Sequence, residues 1–205
     1  MAALESLEIL RLKLHDANRN TNLTRITSSS EYWCKHIADS LSIGLIFPGI
    51  MTGSFRFADV GSGAGFPLLP LVWANPRLEG VGIESKQRKA AFIESIAAEL
   101  DLPNCSVIAR QVREVCDMPA YRGRFDIVLA RAVGTAEHLL KESGRLLRRG
   151  RRTRLVFYKT PGQLKRERQA IESAAAERGL RVNCPPAFEL PLNAGQRQFI
   201  ILKPK

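Results

Sequence analysis

From residue 55 onward, short apolar segments alternate with segments of helical periodicity, and this alternation constrains the fold more than any other feature of the sequence. The strand-like segments, which are rich in β-branched or aromatic residues, are 55–60, 80–84, 106–109, 125–130 and 155–158. The helical segments between and after them are 67–74, 86–100, 133–147 and 162–178. Alternating strands and helices form βαβ units, whose parallel sheet is covered on both faces. We therefore predict a doubly wound α/β fold.

The first fifty residues are predicted to be helical. Leucines recur at three- and four-residue spacing from Leu4 to Leu14, as on one face of an amphipathic helix. After a Thr/Ser-rich break, a second helix is expected to begin at an N-cap residue, Ser29 or Ser30. Its apolar face would carry Trp33, Ile37, Leu41 and Leu45.

The last residues predict an antiparallel end to the sheet, because the strand-like segment 198–203 follows a turn around 193–195. We expect one Rossmann-like α/β domain, residues 51–205, after an N-terminal helical extension, residues 1–50. No apolar run reaches the roughly 18 residues of a membrane helix, and Glu5 and Glu8 argue against a signal peptide. The four cysteines lie far apart without a Cys-x-x-Cys pair, so we expect free thiols, no metal site and a cytoplasmic protein. We also expect a monomer.

A glycine-rich segment, Asp59-Val-Gly61-Ser-Gly63-Ala-Gly65-Phe66, leaves the first predicted strand and enters a helix. Doubly wound sheets bind ligands at such a point, where glycines permit positive φ and a close backbone approach. Dinucleotide enzymes usually carry Gly-x-Gly-x-x-Gly there and need room for a pyrophosphate. The acidic residue before this loop would repel a pyrophosphate but suits the cationic amino group of S-adenosylmethionine.

The second predicted strand ends in Glu84, nineteen residues after Gly65. An acidic side chain at that strand tip commonly accepts hydrogen bonds from the ribose hydroxyls of an adenosine cofactor. The alternative is a glycine-rich turn next to an ordinary surface glutamate. In the strand–turn–helix context, the two features together predict a class I S-adenosylmethionine-dependent methyltransferase with a mostly parallel, seven-stranded, Rossmann-like sheet.

The segment after the fourth strand narrows the methyl acceptor. It begins Ala130-Arg131-Ala132-Val133 and has no Asn/Asp-Pro-Pro-Tyr motif of the kind that accompanies methylation of exocyclic amino groups. Cys184 follows the last long helix, which is the wrong place for a catalytic nucleophile. An acceptor that is already nucleophilic, such as guanine N7, needs positioning but no general base. The same absence is expected of a methyltransferase with a small-molecule acceptor.

Two basic residues are expected at the edge where the strands end. Arg131 would face both cofactor and base, and Lys159, at the end of the fifth strand, would bind phosphate. Either could instead be a surface charge. If Lys159 binds phosphate, its removal should weaken RNA binding or turnover and leave cofactor affinity nearly intact.

The net charge of +11 comes mainly from residues 145–181, which hold twelve basic and three acidic side chains. An arginine-rich block favours phosphate contact with a nucleic acid. The alternative is a solvated helix end. The RNA contacts predicted from charge are Arg145, Arg148, Arg149, Arg151, Arg152 and Lys165.

Several segments together resemble one family, the bacterial small-subunit ribosomal RNA guanine-N7 methyltransferases, also called glucose-inhibited division protein B. The similarity runs from about residue 18 to the C-terminus, and the stretch before Asn22 is shorter than is usual in the family. The matching segments are 22–24, the Glu-Tyr-Trp-Cys-Lys-His-Ile-Ala-Asp-Ser-Leu block of 31–41, 59–67, 84–89, 130–132 and 158–159. The resemblance implies S-adenosylmethionine as donor, a guanine in the decoding-region loop of 16S rRNA as acceptor, and the small ribosomal subunit or its precursor as partner.

The resemblance also implies roles for single residues. Val112 and Arg113 match the segment that contacts adenine, although Gln111-Val-Arg stands where Arg-x-Glu is common, so that Glu114 could supply the acid. His36 is expected either to pack the helical extension against the site or to contact RNA directly. The expected cofactor-binding residues are Asp59, Gly61, Gly63, Gly65, Phe66, Glu84, Val112, Arg113 and Arg131. A methyltransferase for a small molecule or protein, or an RNA-binding protein with a degenerate pocket, remains the alternative.

Overall fold

The computed structural model describes residues 2–150 and 152–205, so Arg151 lies outside the described residues. The strands of its sheet are β1 (Arg56–Val60), β2 (Glu79–Ile83), β3 (Cys105–Ile108), β4 (Ile127–Arg131), β5 (Arg154–Lys159), β6 (Leu180–Asn183), β7 (Phe188–Glu189) and β8 (Gln196–Pro204). Their order in the sheet is β3-β2-β1-β4-β5-β8-β6, and β7 pairs beside β8. The first five strands are parallel, and β8 runs antiparallel to β5 and β6. This seven-stranded path confirms the predicted fold class.

Helices cover both faces of the sheet, because the parallel strands are apolar on both sides. The α-helices are α1 (Ala2–Thr21), α2 (Ser29–Glu31), α3 (Asp39–Leu41), α4 (Ile43–Ile46), α5 (Leu68–Ala74), α6 (Gln87–Glu99), α7 (Val112–Val115), α8 (Ala136–Ser143) and α9 (Pro161–Ala176). One hydrophobic cluster contains side chains of α1, α5 and α6, and the other contains side chains of α7, α8 and α9. Short 3₁₀ turns cover Pro48–Met51, Gly144–Leu146 and Pro191–Asn193.

The second helical segment differs from its prediction in two ways. Its N-cap is Ser28, whose hydroxyl accepts a hydrogen bond from the Glu31 amide at 3.3 Å. Its middle part, Tyr32–Ala38, is a π-helix, in which each turn holds more residues than an α-helical turn. Of the predicted apolar face, Ile37 is buried and Trp33 and Leu41 pack against the core, whereas Leu45 is 70% exposed. Tyr32, His36 and Asp39 are buried as well.

The boundary at residue 50 stays a prediction. The apolar side chains of α1 pack in the same cluster as those of α6, and Lys13 of α1 forms an ion pair with Glu99 at 2.9 Å. Strand β6 had no strand prediction. Only two of its side chains, Leu180 and Val182, are apolar, and these are half-buried at an edge of the sheet, so its sequence carries little strand signal.

The parallel strands define two opposite edges of the sheet. We call the edge where β1, β2, β4 and β5 end the carboxyl edge, and the edge where they begin the amino edge. Doubly wound folds bind ligands at the carboxyl edge. Within the described residues, no helix is long and apolar enough to cross a membrane, and no group of three or more potential metal ligands occurs.

Candidate methyl-donor site

A cavity of about 360 Å³ lies at the carboxyl edge, between the glycine loop, the tip of β2 and the N-terminal helical segment. A second cavity of about 390 Å³ adjoins it. The two share Gly61, Ser85 and Val133 as lining residues, so they form adjacent halves of one cleft. The first half is lined by Leu23, Thr24, His36, Ser62, Gly63, Ala64, Phe66, Glu84, Lys86, Lys89, Arg131 and Ala132 in addition to the shared residues.

The glycine loop has backbone conformations that side chains would strain. Gly61 has φ +70°, and a Cβ there would lie 2.6 Å from Cγ2 of Val133. Gly63 has φ +59°, and its amide donates a hydrogen bond to Oε2 of Glu84 at 2.9 Å. The loop can therefore lie directly against a ligand in the cleft.

Glu84 fits the role of a diol acceptor. The residue is 7% exposed and lines the first half of the cleft. Besides its bond to Gly63, its Oε1 accepts from the Lys86 amide at 2.9 Å. Each carboxylate oxygen keeps lone-pair capacity for another donor, so the side chain can still bind two neighbouring hydroxyls while it holds the loop.

Asp59 occupies a different place from the one its predicted role requires. It is fully buried and does not line the cleft. Its Oδ2 accepts from the amide of Leu68, in the first turn of α5, at 3.2 Å, and its Oδ1 has no partner among the described residues. Burial raises the pKa of this carboxyl to about 7. Asp59 therefore lies behind the glycine loop, where it holds the first turn of α5, and it is not among the residues that line the cleft.

Asp59→Asn is expected to remove a loss of stability with rising pH. The unfolded carboxyl loses its proton near its ordinary pKa of 3.8, whereas the folded carboxyl keeps its proton up to a pKa of about 7. The folded state then binds more protons at Asp59, so the contribution of this carboxyl to the free energy of unfolding falls between these values. Urea denaturation across this pH range measures the difference between wild type and variant. The exposed Asp16→Asn should behave as wild type, and parallel pH curves for Asp59→Asn and wild type would contradict the assignment.

Arg131, the last residue of β4, is held at the cleft by the N-terminal helical segment. Its Nη1 donates to the Lys35 carbonyl oxygen at 2.6 Å and to Oδ2 of Asp39 at 2.9 Å, and its Nη2 lies 3.2 Å from Nδ1 of His36. Its guanidinium carbon lies 5.8 Å from the centre of the Phe66 ring. Nε is buried without a partner within the described part of the chain. Arg131 lines the first half of the cleft, and its contact with cofactor and base stays a prediction.

His36 is part of this support. Its ring stacks on Phe66 with centroids 4.1 Å apart, and its Nε2 lies 3.0 Å from the hydroxyl oxygen of Thr24. Because Arg131 can only donate, Nδ1 accepts and Nε2 carries the proton. Burial and the adjacent Arg131 lower the pKa of His36 to about 3. The structure thus favours the packing role of His36 over direct RNA contact.

The phosphate-binding role predicted for Lys159 does not fit the structure. Its side chain is 3% exposed and forms an ion pair with Oε2 of Glu167 at 2.9 Å. Its Nζ also donates to the Gly134 carbonyl oxygen at 2.7 Å, while Glu167 accepts from the Ala136 amide at 2.7 Å. The pair therefore fixes the turn after β4, which includes Val133 of the cleft. Lys159 is a buried positioning residue in this structure and is not available to a phosphate.

Lys159→Met is expected to weaken S-adenosylmethionine binding several-fold and to lower the free energy of unfolding by about 3 kcal/mol, because it leaves Glu167, whose side chain is only 15% exposed, without its cation. This is the opposite of the result expected for a phosphate contact. Isothermal titration and urea denaturation measure the two effects. Lys165→Met, at an exposed position near the start of α9, is the control. Unchanged donor affinity together with weaker RNA binding would restore the phosphate role.

The segment to which the resemblance assigns the adenine contact lies at the second half of the cleft. Val112 and Arg113 both line it. Glu114 does not, and its carboxylate lies 3.8 Å from Arg110. A different acid, Glu142 of α8, lines this half. Of these two acids only Glu142 lines this half, and no pattern in the sequence marks it.

The arginine block lies at the amino edge, opposite the cleft. It precedes β5, and the six residues of that strand separate the two edges by roughly 16 Å. Arg145 pairs with Asp117 at 2.5 Å and Arg148 pairs with Asp126. Arg149 and Arg152 are exposed, and Arg151 is outside the described residues. Among the RNA contacts predicted from charge, Lys165 alone lies at the carboxyl edge in the part of the chain that the structure describes.

Three residues that support or line the site had no prediction from the sequence. Arg197 of β8 donates to both oxygens of the buried Asp39, at 2.6 and 2.5 Å. Glu167 is the partner of Lys159, and Lys89 lines the first half of the cleft. Lys89 could have been found in the matching segment 84–89. The other two depend on contacts between distant parts of the chain.

The sheet order, the glycine loop tied to an acidic strand tip and the cleft beside them define a class I S-adenosylmethionine-dependent methyltransferase. A family model described as rRNA small subunit methyltransferase G matches residues 3–189. The chain therefore belongs to the rRNA small subunit methyltransferase G family.

Individual relatives agree with this membership. The ribosomal RNA small subunit methyltransferase G of Trichormus variabilis is 34% identical over 193 residues, covering 92% of this chain and 77% of that protein. The Deinococcus deserti protein of the same name is 31% identical over 200 residues, covering 98% and 80%. Among solved structures, a SAM-dependent methyltransferase from Aquifex aeolicus shares the fold with a TM-score of 0.63 at 15% identity, covering 89% of this chain and 96% of that one.

Proposed function

We propose that this chain transfers a methyl group from S-adenosylmethionine to N7 of a guanine in 16S rRNA, with the small ribosomal subunit or its precursor as the substrate particle. One observation carries the proposal. The family-specific helical block of residues 31–41 meets the glycine-loop cleft at Arg131, which Lys35, His36 and Asp39 all contact. The family name supports the small-subunit rRNA as substrate.

The cleft supports a division of the donor between its two halves. Glu84 and the Gly63 backbone would hold the ribose, and Val112 would border the adenine. Arg131 and Phe66 lie in the first half, where the methionine part and the acceptor base would meet. When bound, S-adenosylmethionine supplies an electrophilic methyl group on a sulfonium.

The cleft is built to position groups and not to move protons. His36 is neutral near pH 7, since its pKa is lowered to about 3, and both of its ring nitrogens are engaged. The Glu84 carboxylate is bonded to two backbone amides. Guanine N7 has a free lone pair and no proton to lose. Alignment of the base with the methyl group therefore suffices for the reaction, and Arg131 is placed to provide it.

The test uses small ribosomal subunits purified from cells that lack this protein. The purified chain is incubated with them and with S-adenosylmethionine labelled in the methyl group, and the rRNA is digested to nucleosides for mass spectrometry. The expected product is labelled 7-methylguanosine from a single position of 16S rRNA. Label in another nucleoside would refute N7 transfer. Donor binding without any transfer would indicate a binding protein, and no donor binding by folded protein would refute the assignment of the cleft.

A further inference from the structure

A groove of about 560 Å³ lies at the amino edge, away from the donor cleft. It runs between the end of α8, the loop before β5 and the start of β6. Its floor includes Leu155 and Leu180. We call it the arginine groove after the cations that line it: Lys141, Arg145, Arg148, Arg149 and Arg178. An adjoining depression is lined by Arg181, Lys203 and Lys205, so the basic surface continues along β6 and β8.

The cations of the groove are exposed and only partly neutralised. Lys141 and Arg178 each pair with a glutamate and Arg145 and Arg148 each pair with an aspartate. The side chains of these four cations remain between 37% and 56% exposed. Exposed ion pairs are worth little, and a guanidinium has five N–H donors, so a paired arginine can still bind a phosphate. Arg149 has no ion-pair partner within residues 2–150 and 152–205.

We propose that the arginine groove binds the phosphodiester backbone of the substrate rRNA at a segment other than the one that carries the target guanine. This inference rests on the proposed function. The separation of roughly 16 Å along β5 keeps the groove apart from the cleft. The protein therefore holds its RNA at two places, one for chemistry and one for affinity.

The composition of the groove favours RNA over a lipid surface. Arginine forms bidentate bonds to phosphate oxygens, whereas membrane-bound surfaces also present apolar side chains that insert between lipids. The large exposed apolar side chains of the described residues lie elsewhere, at Leu4, Ile9, Leu12, Leu45 and Leu192.

The test compares the charge-removing variant Arg149→Gln/Arg178→Gln with a matched control, Lys13→Gln/Arg168→Gln. The control loses the same charge from exposed, ion-paired positions outside the groove. Binding of each protein to small ribosomal subunits is measured by filter retention between about 50 and 200 mM salt. In the glutamine variant, loss of two phosphate contacts makes the slope of log affinity against log salt less steep by about 1.4 to 1.8. The same salt increase therefore costs the wild type about tenfold more affinity than the variant.

Further measurements separate the groove from the cleft and from folding. The variant should keep wild-type donor affinity in isothermal titration and wild-type turnover at saturating subunits. Because Arg178 also donates to the Ala174 carbonyl oxygen at 3.0 Å, thermal unfolding is compared as well, and Arg149→Lys/Arg178→Lys, which keeps both charges, should retain most of the salt dependence.

Three outcomes would overturn the proposal. They are an unchanged salt slope in the glutamine variant, an equal loss of slope in the control, and loss of binding to phosphatidylglycerol vesicles with RNA binding intact. Failure of the wild type itself to methylate rRNA would instead refute the proposed function, so the two failures are distinguishable.

Discussion

Asp39→Asn is expected to lower the free energy of unfolding by about 3–5 kcal/mol, because removing one member of a buried ion pair leaves the others without compensation. Asp39 is fully buried and is the shared counter-ion of Arg131 and Arg197, whose side chains are 11% and 15% exposed. Such a loss is a large part of the stability of an ordinary domain. Urea denaturation measures it.

The same substitution should abolish methyl transfer in any protein that stays folded, since Arg131 loses a contact that fixes it at the cleft. Arg197→Gln removes one of the two cations that Asp39 neutralises. A double-mutant cycle between residues 39 and 197 should show an interaction energy of about 0.5–3 kcal/mol. Asp16→Asn, exposed on α1, is the control and should stay within about 0.5 kcal/mol of wild type. Additive effects in the cycle would show that the carboxylate and Arg197 do not act together.

Glu84→Gln is expected to weaken S-adenosylmethionine binding by about 10- to 100-fold. A hydrogen bond to a charged group contributes about 1.5–3 kcal/mol, and 1.4 kcal/mol is a factor of ten in affinity. The amide keeps one oxygen, so its NH₂ group would face one of the two backbone amides, of Gly63 or Lys86, that now donate to the carboxylate. The variant would lose the ribose acceptor and also loosen the glycine loop.

Isothermal titration with the donor tests this prediction. Glu79→Gln is a matched control, because Glu79 begins the same strand at the amino edge, where it pairs with Arg56 at 2.8 Å and is largely exposed. The control should bind the donor as the wild type does. Equal affinities of Glu84→Gln and Glu79→Gln would show that the donor does not lie against the tip of β2.

Local sequence patterns were sufficient for the fold and for one wall of the cleft. Five strands and the helices between them follow from periodicity, because a parallel sheet buries short apolar runs on both faces. Gly61, Gly63 and Glu84 follow from the strand order, since the ends of neighbouring parallel strands meet at one edge. The position of the arginine block could also have been predicted, because residues that precede a parallel strand lie at the edge opposite to those that follow it.

Other features depended on the three-dimensional arrangement. The π-helical turn at 32–38 adds Tyr32 and His36 to the buried side chains of its segment, and nothing in its residue types marks that turn. Lys159 and Glu167 lie on successive elements, yet only the packing of α9 against the turn after β4 makes them a buried pair. Asp39 and Arg197 are 158 positions apart in the chain.

The sequence by itself determined the parallel strands, the glycine loop and the class of chemistry, because each of these is set by spacing within a few residues or by strand order. The tertiary structure alone decided which charges are buried and with which partners. Burial and pairing depend on how distant segments pack, and the cost of removing a charge from water makes the pairing matter. Arg131 shows both contributions, since its place at a strand end is local and its fixed position at the cleft comes from Asp39, His36 and Lys35.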